Sequence, residues 1–262
     1  MSIQSISRGI DVAGAEDAPP IVLLHAASYT RRTWLLPMRI LARTHRVYAI
    51  DLPGHGECPI RKFDYDDALD MLGGFLQERV GRPALLAGIS LGGCLAMELA
   101  PRHPDLVAGL ALSGSTFDAR GKVCHLVLTG ESIVFPRWEK RLIRKLHRFA
   151  NNSLPADAAE AIIEGGSWWH AAADAVKQLR GRDFPASLRR FDGPVLILNG
   201  DRDFVHRTAE RAFARVCKDV RVETIRGGHH VCSLNDPAAY ADAVRRFAEE
   251  MVYIQAKTRL QP

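Results

Sequence analysis

The sequence predicts an α/β protein, a mostly parallel sheet with helices on both faces and one helical cap insertion, on three observations. Short apolar runs of strand length alternate with helix-length amphipathic stretches, and each run is bounded by turn residues. Strands that alternate with helices pair in parallel, because each helix returns the chain to the edge where the previous strand began. The alternation fails once, between Ser115 and about Arg190, where no strand-like run is evident.

In chain order the strand-like runs are Ile21–Leu24, Arg46–Ile50, Ala84–Ala87, Leu106–Leu112, Val195–Leu198 and Val220–Ile225. Helical spacing of apolar residues marks Arg32–Arg43, Tyr65–Val80, Leu91–Arg102, Arg207–Cys217 and Ala238–Met251. The last of these follows Asp236-Pro237, a capping aspartate with proline at the first turn. Residues 115–190 read as several short helices. The expected organisation is therefore a core of residues 1–114 and 191–262, interrupted by a helical cap of residues 115–190 over the carboxyl ends of the strands. Ligands of open parallel sheets bind at that edge, and insertions of this size usually bear function.

Composition narrows the function classes. A chain of 262 residues with 47% apolar and 25% charged side chains can bury a core, which excludes a disordered or disulfide-stapled chain. The formal charge of +5 is carried entirely by one segment, in which Arg137, Lys140, Arg141, Arg144, Lys145 and Arg148 face only Glu139. With the remainder formally neutral, no nucleic-acid partner is expected. Five cysteines, Cys58, Cys94, Cys124, Cys217 and Cys232, form no C-x-x-C pair, which suits a reducing compartment and offers no metal framework. No signal-peptide pattern and no run of about 18 apolar residues is present, so a cytoplasmic chain without stable membrane insertion is expected.

The sharpest chemical signal is Gly88-Ile89-Ser90-Leu91-Gly92, directly after one strand-like run and directly before a helix-like stretch. A serine on so tight a turn is pushed outward, and glycines beside it let the backbone approach its neighbours. A serine hydroxyl needs a base to take its proton and an acid to orient that base. Both occur downstream in strand-end loops: Asn199-Gly200-Asp201-Arg202-Asp203, then Arg226-Gly227-Gly228-His229-His230. The amide of Leu91, at the positive end of its helix, is one expected donor to the oxyanion. The other histidines, His45, His55, His103, His125, His147, His170 and His206, show no partner at ligand spacing, and no metal or cofactor is expected.

These blocks resemble the α/β-hydrolase family over nearly the whole chain outside the insertion. Leu23-Leu24-His25-Ala26-Ala27 is similar to the family's His-Gly oxyanion loop, and Asp51-Leu52-Pro53-Gly54-His55-Gly56 to its Asp-x-x-Gly-x-Gly segment. The resemblance implies Ser90 as nucleophile, Asp203 as acid and His229 as base, with Asp201 and His230 as their neighbouring alternatives and Asp118 as a more distant acid. It also implies Ala27 as the second oxyanion donor. Ala26 stands where the family has glycine, and alanine resists positive φ.

The activity this implies is a serine hydrolase that cleaves a small or medium acyl compound through an acyl-enzyme, a carboxylic ester or lactone first. A thioesterase or carbon–carbon bond hydrolase would use the same parts, and a small-molecule receptor with a slow hydrolase site is the alternative of another class. Serine at the turn speaks against dehalogenase and epoxide hydrolase chemistry. Within the insertion, Trp138, Leu142, Leu146 and Phe149 recur at helical spacing opposite the basic residues. Trp168 and Trp169 follow Gly165-Gly166, and Ser115 marks the entry to the insertion. Trp138, Trp168, Trp169 and Ser115 are the pocket candidates, with Leu126, Val127, Leu128, Ile133, Val134 and Phe135 as an apolar roof.

Overall fold

Among residues 3–259, which the computed structural model describes, eight strands form one sheet. They are β1 (Gln4–Ser7), β2 (Ile10–Ala13), β3 (Pro20–Leu24), β4 (Arg46–Ile50), β5 (Ala84–Ile89), β6 (Val107–Ser113), β7 (Val195–Gly200) and β8 (Val220–Ile225), in spatial order β1-β2-β4-β3-β5-β6-β7-β8. From β4 to β8 every neighbouring pair is parallel. Strands β3, β5 and β7 are buried along their whole length, as continuous apolar runs in a doubly covered sheet should be.

The antiparallel edge β1–β2 is an addition to the expected set. Its strands are four residues each, β1 is mostly polar and Asp11 interrupts β2, so no apolar run announces them. Their order comes from the turn at Gly9, whose φ of +77° suits glycine, and from the pairing of β2 with β4.

Helices α1 (Leu35–Leu41) and α11 (Pro237–Arg259) cover one face, while α2 (Tyr65–Phe75) and α3 (Leu91–Leu99) cover the other. Four helices lie between β6 and β7: α4 (Lys122–Ser153), α5 (Ala156–Gly165), α6 (Trp169–Leu179) and α7 (Phe184–Arg189). Because α4 is one continuous helix, only positions three or four apart turn inward. Leu128, Leu146 and Ala150 are buried, and Phe135 packs edge-on against Trp169 at 5.1 Å. Leu126, Val127, Ile133, Val134 and Trp138 face solvent, so the expected apolar roof reduces to Leu128 and Phe135. Trp138 instead lies against Arg141, whose guanidinium sits 4.8 Å from its ring. No helix among the described residues is long and apolar enough to cross a membrane.

The expected helix Arg207–Cys217 is two short ones, α8 (Phe204–Arg207) and α9 (Glu210–Ala214). The difference matters, because α8 begins immediately after Asp203. A last short helix, α10 (Cys232–Asn235), follows the Gly-His loop.

Candidate active site

The parallel sheet delivers the loops after β3, β5, β6, β7 and β8 to one edge. Ser90 has φ 53° and ψ −114°, and it is the single non-glycine residue with positive φ among those described. The strain is held by packing on all sides. Its N–H donates to the Ser113 carbonyl at 2.8 Å, and its own carbonyl accepts from Cys94 N–H at 3.0 Å. A Cβ on Gly88 would lie 2.4 Å from the Gly92 carbonyl carbon, and one on Gly92 would lie 2.3 Å from the Leu24 carbonyl oxygen. The turn therefore excludes side chains at both positions for steric reasons.

A stability prediction follows from that contact. Gly92→Ala costs about 1–3 kcal/mol, because the obstacle is backbone and cannot swing away. Gly74→Ala, at a helical site with nothing within 4 Å, gains a few tenths to about 1 kcal/mol. Urea midpoints of the two variants check both signs, and equal midpoints would refute the packing argument.

Leu91 opens α3, where its N–H has no acceptor within the helix. Ala27 lies in the loop after β3. His25 anchors that loop: its Nδ1–H donates to the Ala26 carbonyl at 2.8 Å, and its Nε2 accepts from Leu52 N–H at 2.9 Å. Both ring nitrogens are thus committed to backbone, and burial pushes the imidazole pKa well below its usual value. Ala26 has no positive φ, so alanine in place of glycine adds no backbone strain here. On the far side of the loop, His55 Nε2 meets the Ala27 carbonyl.

The acid loop and the histidine loop meet backbone to backbone. A Cβ on Gly200 would come within 2.2 Å of the Gly228 carbonyl oxygen, and Arg202 N–H donates to that oxygen at 2.9 Å. Asp203 is buried, and both of its carboxylate oxygens are engaged. Its Oδ1 accepts from His206 Nδ1–H at 2.8 Å, and its Oδ2 accepts from His230 Nδ1–H at 3.2 Å. The two imidazoles stack at 4.6 Å between centroids. Burial alone would raise the Asp203 pKa, but the two imidazole hydrogen bonds outweigh it and hold the carboxyl well below the usual carboxylate range. Burial also lowers the His206 pKa, and the Asp203 bond offsets only part of that.

The imidazole that reaches Asp203 from the Gly-His loop is therefore His230, where the sequence reading favoured His229. His229 is exposed, and its backbone N–H is bonded to Asn235 Oδ1 at 2.8 Å, which ties that residue to α10. His230 lies over Gly114: a Cβ there would stand 2.8 Å from His230 Cε1 and Nδ1. Gly114 follows Ser113, the residue bonded to Ser90 N–H, so this imidazole is brought to the strand end beside the serine. Among the described residues the Ser90 hydroxyl forms no hydrogen bond to either imidazole. Asp201 N–H donates to the Ile225 carbonyl at 3.0 Å, as a residue bracing the loop would, and Asp118 is exposed beside Arg120.

His206 was not expected. Aspartate and histidine three apart share a face only if a helix starts between them, and the sequence pattern put that start at Arg207. A buried Asn199 stiffens the arrangement. Its Oδ1 accepts from Gly114 N–H at 2.7 Å, and its amide donates to Thr116 Oγ1 and Glu210 Oε1 at 3.1 and 2.9 Å. Thr116 Oγ1 in turn donates to the His206 carbonyl at 2.8 Å.

The pocket candidates separate. Trp168 lines a cleft of about 480 Å³ together with Gly54, Phe63, Ser167, His170 and Asp174, and its backbone N–H donates to the Ser28 carbonyl at 3.0 Å beside the loop after β3. Trp169 turns inward onto Phe135. Ser115 is fully buried against Gly93, whose added Cβ would stand 2.5 Å from its hydroxyl, so it packs behind the turn and is absent from that cleft. A second cleft of about 510 Å³, between Glu98 and the segment Arg182 to Arg190, contains none of the candidate residues.

A family model described as the alpha/beta hydrolase family matches residues 21–243. A pimeloyl-[acyl-carrier protein] methyl ester esterase of Neisseria meningitidis is 40% identical over 96 residues, a match that covers 36% of this chain and 36% of that protein. The aligned segment thus spans about a third of that relative's length. An uncharacterized carboxylesterase of Bacillus subtilis is 26% identical over 257 residues, covering 90% of this chain and 81% of that one. Among solved structures, a thermophilic esterase from Thermogutta terrifontis superposes with a TM-score of 0.76 at 20% identity, covering 92% of this chain and 93% of that one.

Proposed function

The chain belongs to the alpha/beta hydrolase family, and from that premise we propose that it is a serine hydrolase acting on a carboxylic ester of a small or medium acyl group. Residues 115–190 act as its cap. The carrying observation is the strained Ser90 turn beside a Gly-His loop whose His230 is bonded through Nδ1 to buried Asp203. Since Nδ1–H is held by the carboxylate, Nε2 is the nitrogen left with a lone pair, and it is the one able to accept a proton from serine.

In this reading Ser90 Oγ attacks the ester carbon as its proton passes to His230 Nε2. The carbonyl oxygen becomes an oxyanion, received by the amides of Leu91 and Ala27. Collapse expels the alcohol, which takes the proton from His230 and leaves an acyl-Ser90 ester. Water then attacks, gives its proton to His230, and the acid departs as Ser90 recovers its hydrogen. His206 is the poorer base, since it sits on the short helix of its own acid with its ring edge-on to Phe117 at 5.8 Å. The names of relatives support an ester over the other acyl compounds.

The test is covalent. A fluorophosphonate probe labels one residue, Ser90, and abolishes turnover of p-nitrophenyl esters in proportion to labelling; Ser90→Ala takes up no label and loses turnover. Undiminished turnover by Ser90→Ala, or a label mapped elsewhere, would reject the assignment.

A further inference from the structure

A serine hydrolase needs one imidazole on its acid, and this chain supplies two. His206 Nδ1 and His230 Nδ1 approach the two oxygens of Asp203 at 2.8 and 3.2 Å, and one donor atom from each residue lies within 4.8 Å of the other two. Two imidazole nitrogens and a carboxylate gathered within 4.8 Å of one another are a ligand set for a borderline transition-metal dication, whereas Mg²⁺ and Ca²⁺ prefer oxygen donors. Donors about 2.0–2.2 Å from a shared ion stand roughly 3.0–3.6 Å apart, close to the two short separations already present. The side chains of Asp203 and His206 are 6% and 14% exposed, while that of His230 is 43% exposed. The cluster is thus fixed on two sides and open on the third, where an ion and its remaining water ligands can enter and where His230 has room to close the longer separation.

We propose that Asp203, His206 and His230 bind one Zn²⁺-class dication through both Nδ1 atoms and a carboxylate oxygen, and that its binding reversibly stops ester turnover. The inhibitory half rests on the proposed function; the binding half does not. Inhibition follows from tautomer chemistry. A metal on Nδ1 uses that nitrogen's lone pair, so the single proton of the neutral imidazole moves to Nε2. A protonated Nε2 has no lone pair to take the proton of Ser90. The carboxylate that oriented the base is at the same time drawn onto the metal. Asn199 and Thr116 hold the α8 segment from behind, so the ligands need little rearrangement to bind.

The experiment uses the full, tag-free, chelator-treated chain and titrates it with ZnCl₂ or CoCl₂. Calorimetry on Ser90→Ala is expected to show one site, and Co²⁺ is expected to give the visible absorption of a low-coordinate nitrogen and oxygen site. His206→Gln, which keeps an amide to bond Asp203, is expected to weaken binding roughly tenfold or more. His230→Gln, at the more open position, does the same and guards against misfolding of the first variant. His125→Gln, on the exposed side of α4, leaves binding unchanged. With wild-type enzyme, Zn²⁺ halts ester turnover, a chelator restores it and Mg²⁺ has no effect, whereas His206→Gln retains its own activity at the same Zn²⁺ concentration. No stoichiometric binding, or equal binding by the His206 and His230 variants, overturns the site. Binding with undiminished turnover overturns the inhibitory half alone. A failure of the hydrolase assignment would appear in the Ser90 labelling experiment and leave the calorimetry untouched.

Discussion

His230→Ala lowers kcat/KM for an activated ester by roughly 10⁵-fold, close to the loss caused by Ser90→Ala, while His229→Ala stays within about threefold of the wild type. The contrast between adjacent histidines comes from geometry. His230 presents Nδ1 to Asp203 and lies over Gly114 at the strand end next to Ser90, whereas His229 is exposed and tied through its backbone to Asn235. Serine and base act as one unit, so Ser90→Ala/His230→Ala should be little worse than either single variant. The two histidine variants should also unfold near the wild-type midpoint, since neither side chain is part of a core, which separates catalytic loss from loss of fold. A severe defect in His229→Ala with an active His230→Ala would reverse the assignment. Activity in His230→Ala that disappears only on adding a His206 substitution would move the base to the other imidazole on Asp203.

That reversal of neighbours marks the limit of what the sequence could tell. Strand β4 and the start of α11 at Pro237 stand where the periodicity put them, because a strand covered on both sheet faces demands an apolar run and proline is tolerated at a helix start, while β8 is the exposed edge strand and shows only a partial alternation. The Ser90 turn was legible because its glycines are dictated by backbone contacts that no side chain survives. A Gly-His-His run is another matter. Which imidazole turns toward the acid depends on where α10 begins and on Asn235 capturing the His229 amide, contacts six residues on that no local pattern encodes. His206 was hidden for a similar reason: its partnership with Asp203 exists only because a one-turn helix opens at Phe204. The β1–β2 edge gives no signal because strands of four residues are too short to show a period, and most of the expected roof on α4 faces solvent because apolar residues adjacent along a helix do not share a face.

Arg31→Met destabilises the fold by about 3–5 kcal/mol, the largest stability loss expected of a single substitution away from the candidate active site. Arg31 enters just after the loop that follows β3, and its side chain is only 2% exposed. The guanidinium pairs with Asp51, itself fully buried, and with Glu57, while its Nε stands 3.1 Å from Asp11 without hydrogen-bond geometry. Asp51 also accepts from the backbone N–H groups of Arg31 and Glu57 at 2.7 and 2.9 Å, and Gly56 adopts φ +51° directly over its carboxylate. One cation therefore joins β2, the loop after β4 and the segment leading into α1. Methionine of similar length fills the space but leaves two buried carboxylates without their shared counter-charge, and an unpaired buried charge costs far more than a pair gains. The loss is bounded by the contacts that remain, namely Arg32 to Asp11 at 3.1 Å and the backbone donors to Asp51. Neutralising the orphaned acids should then recover part of it, so Arg31→Met/Asp51→Asn unfolds at higher urea than Arg31→Met alone, with m unchanged. A single variant within about 1 kcal/mol of wild type, or a double variant no better than the single, would mean that the cluster is solvated in the folded chain and contributes little to holding the loop after β3.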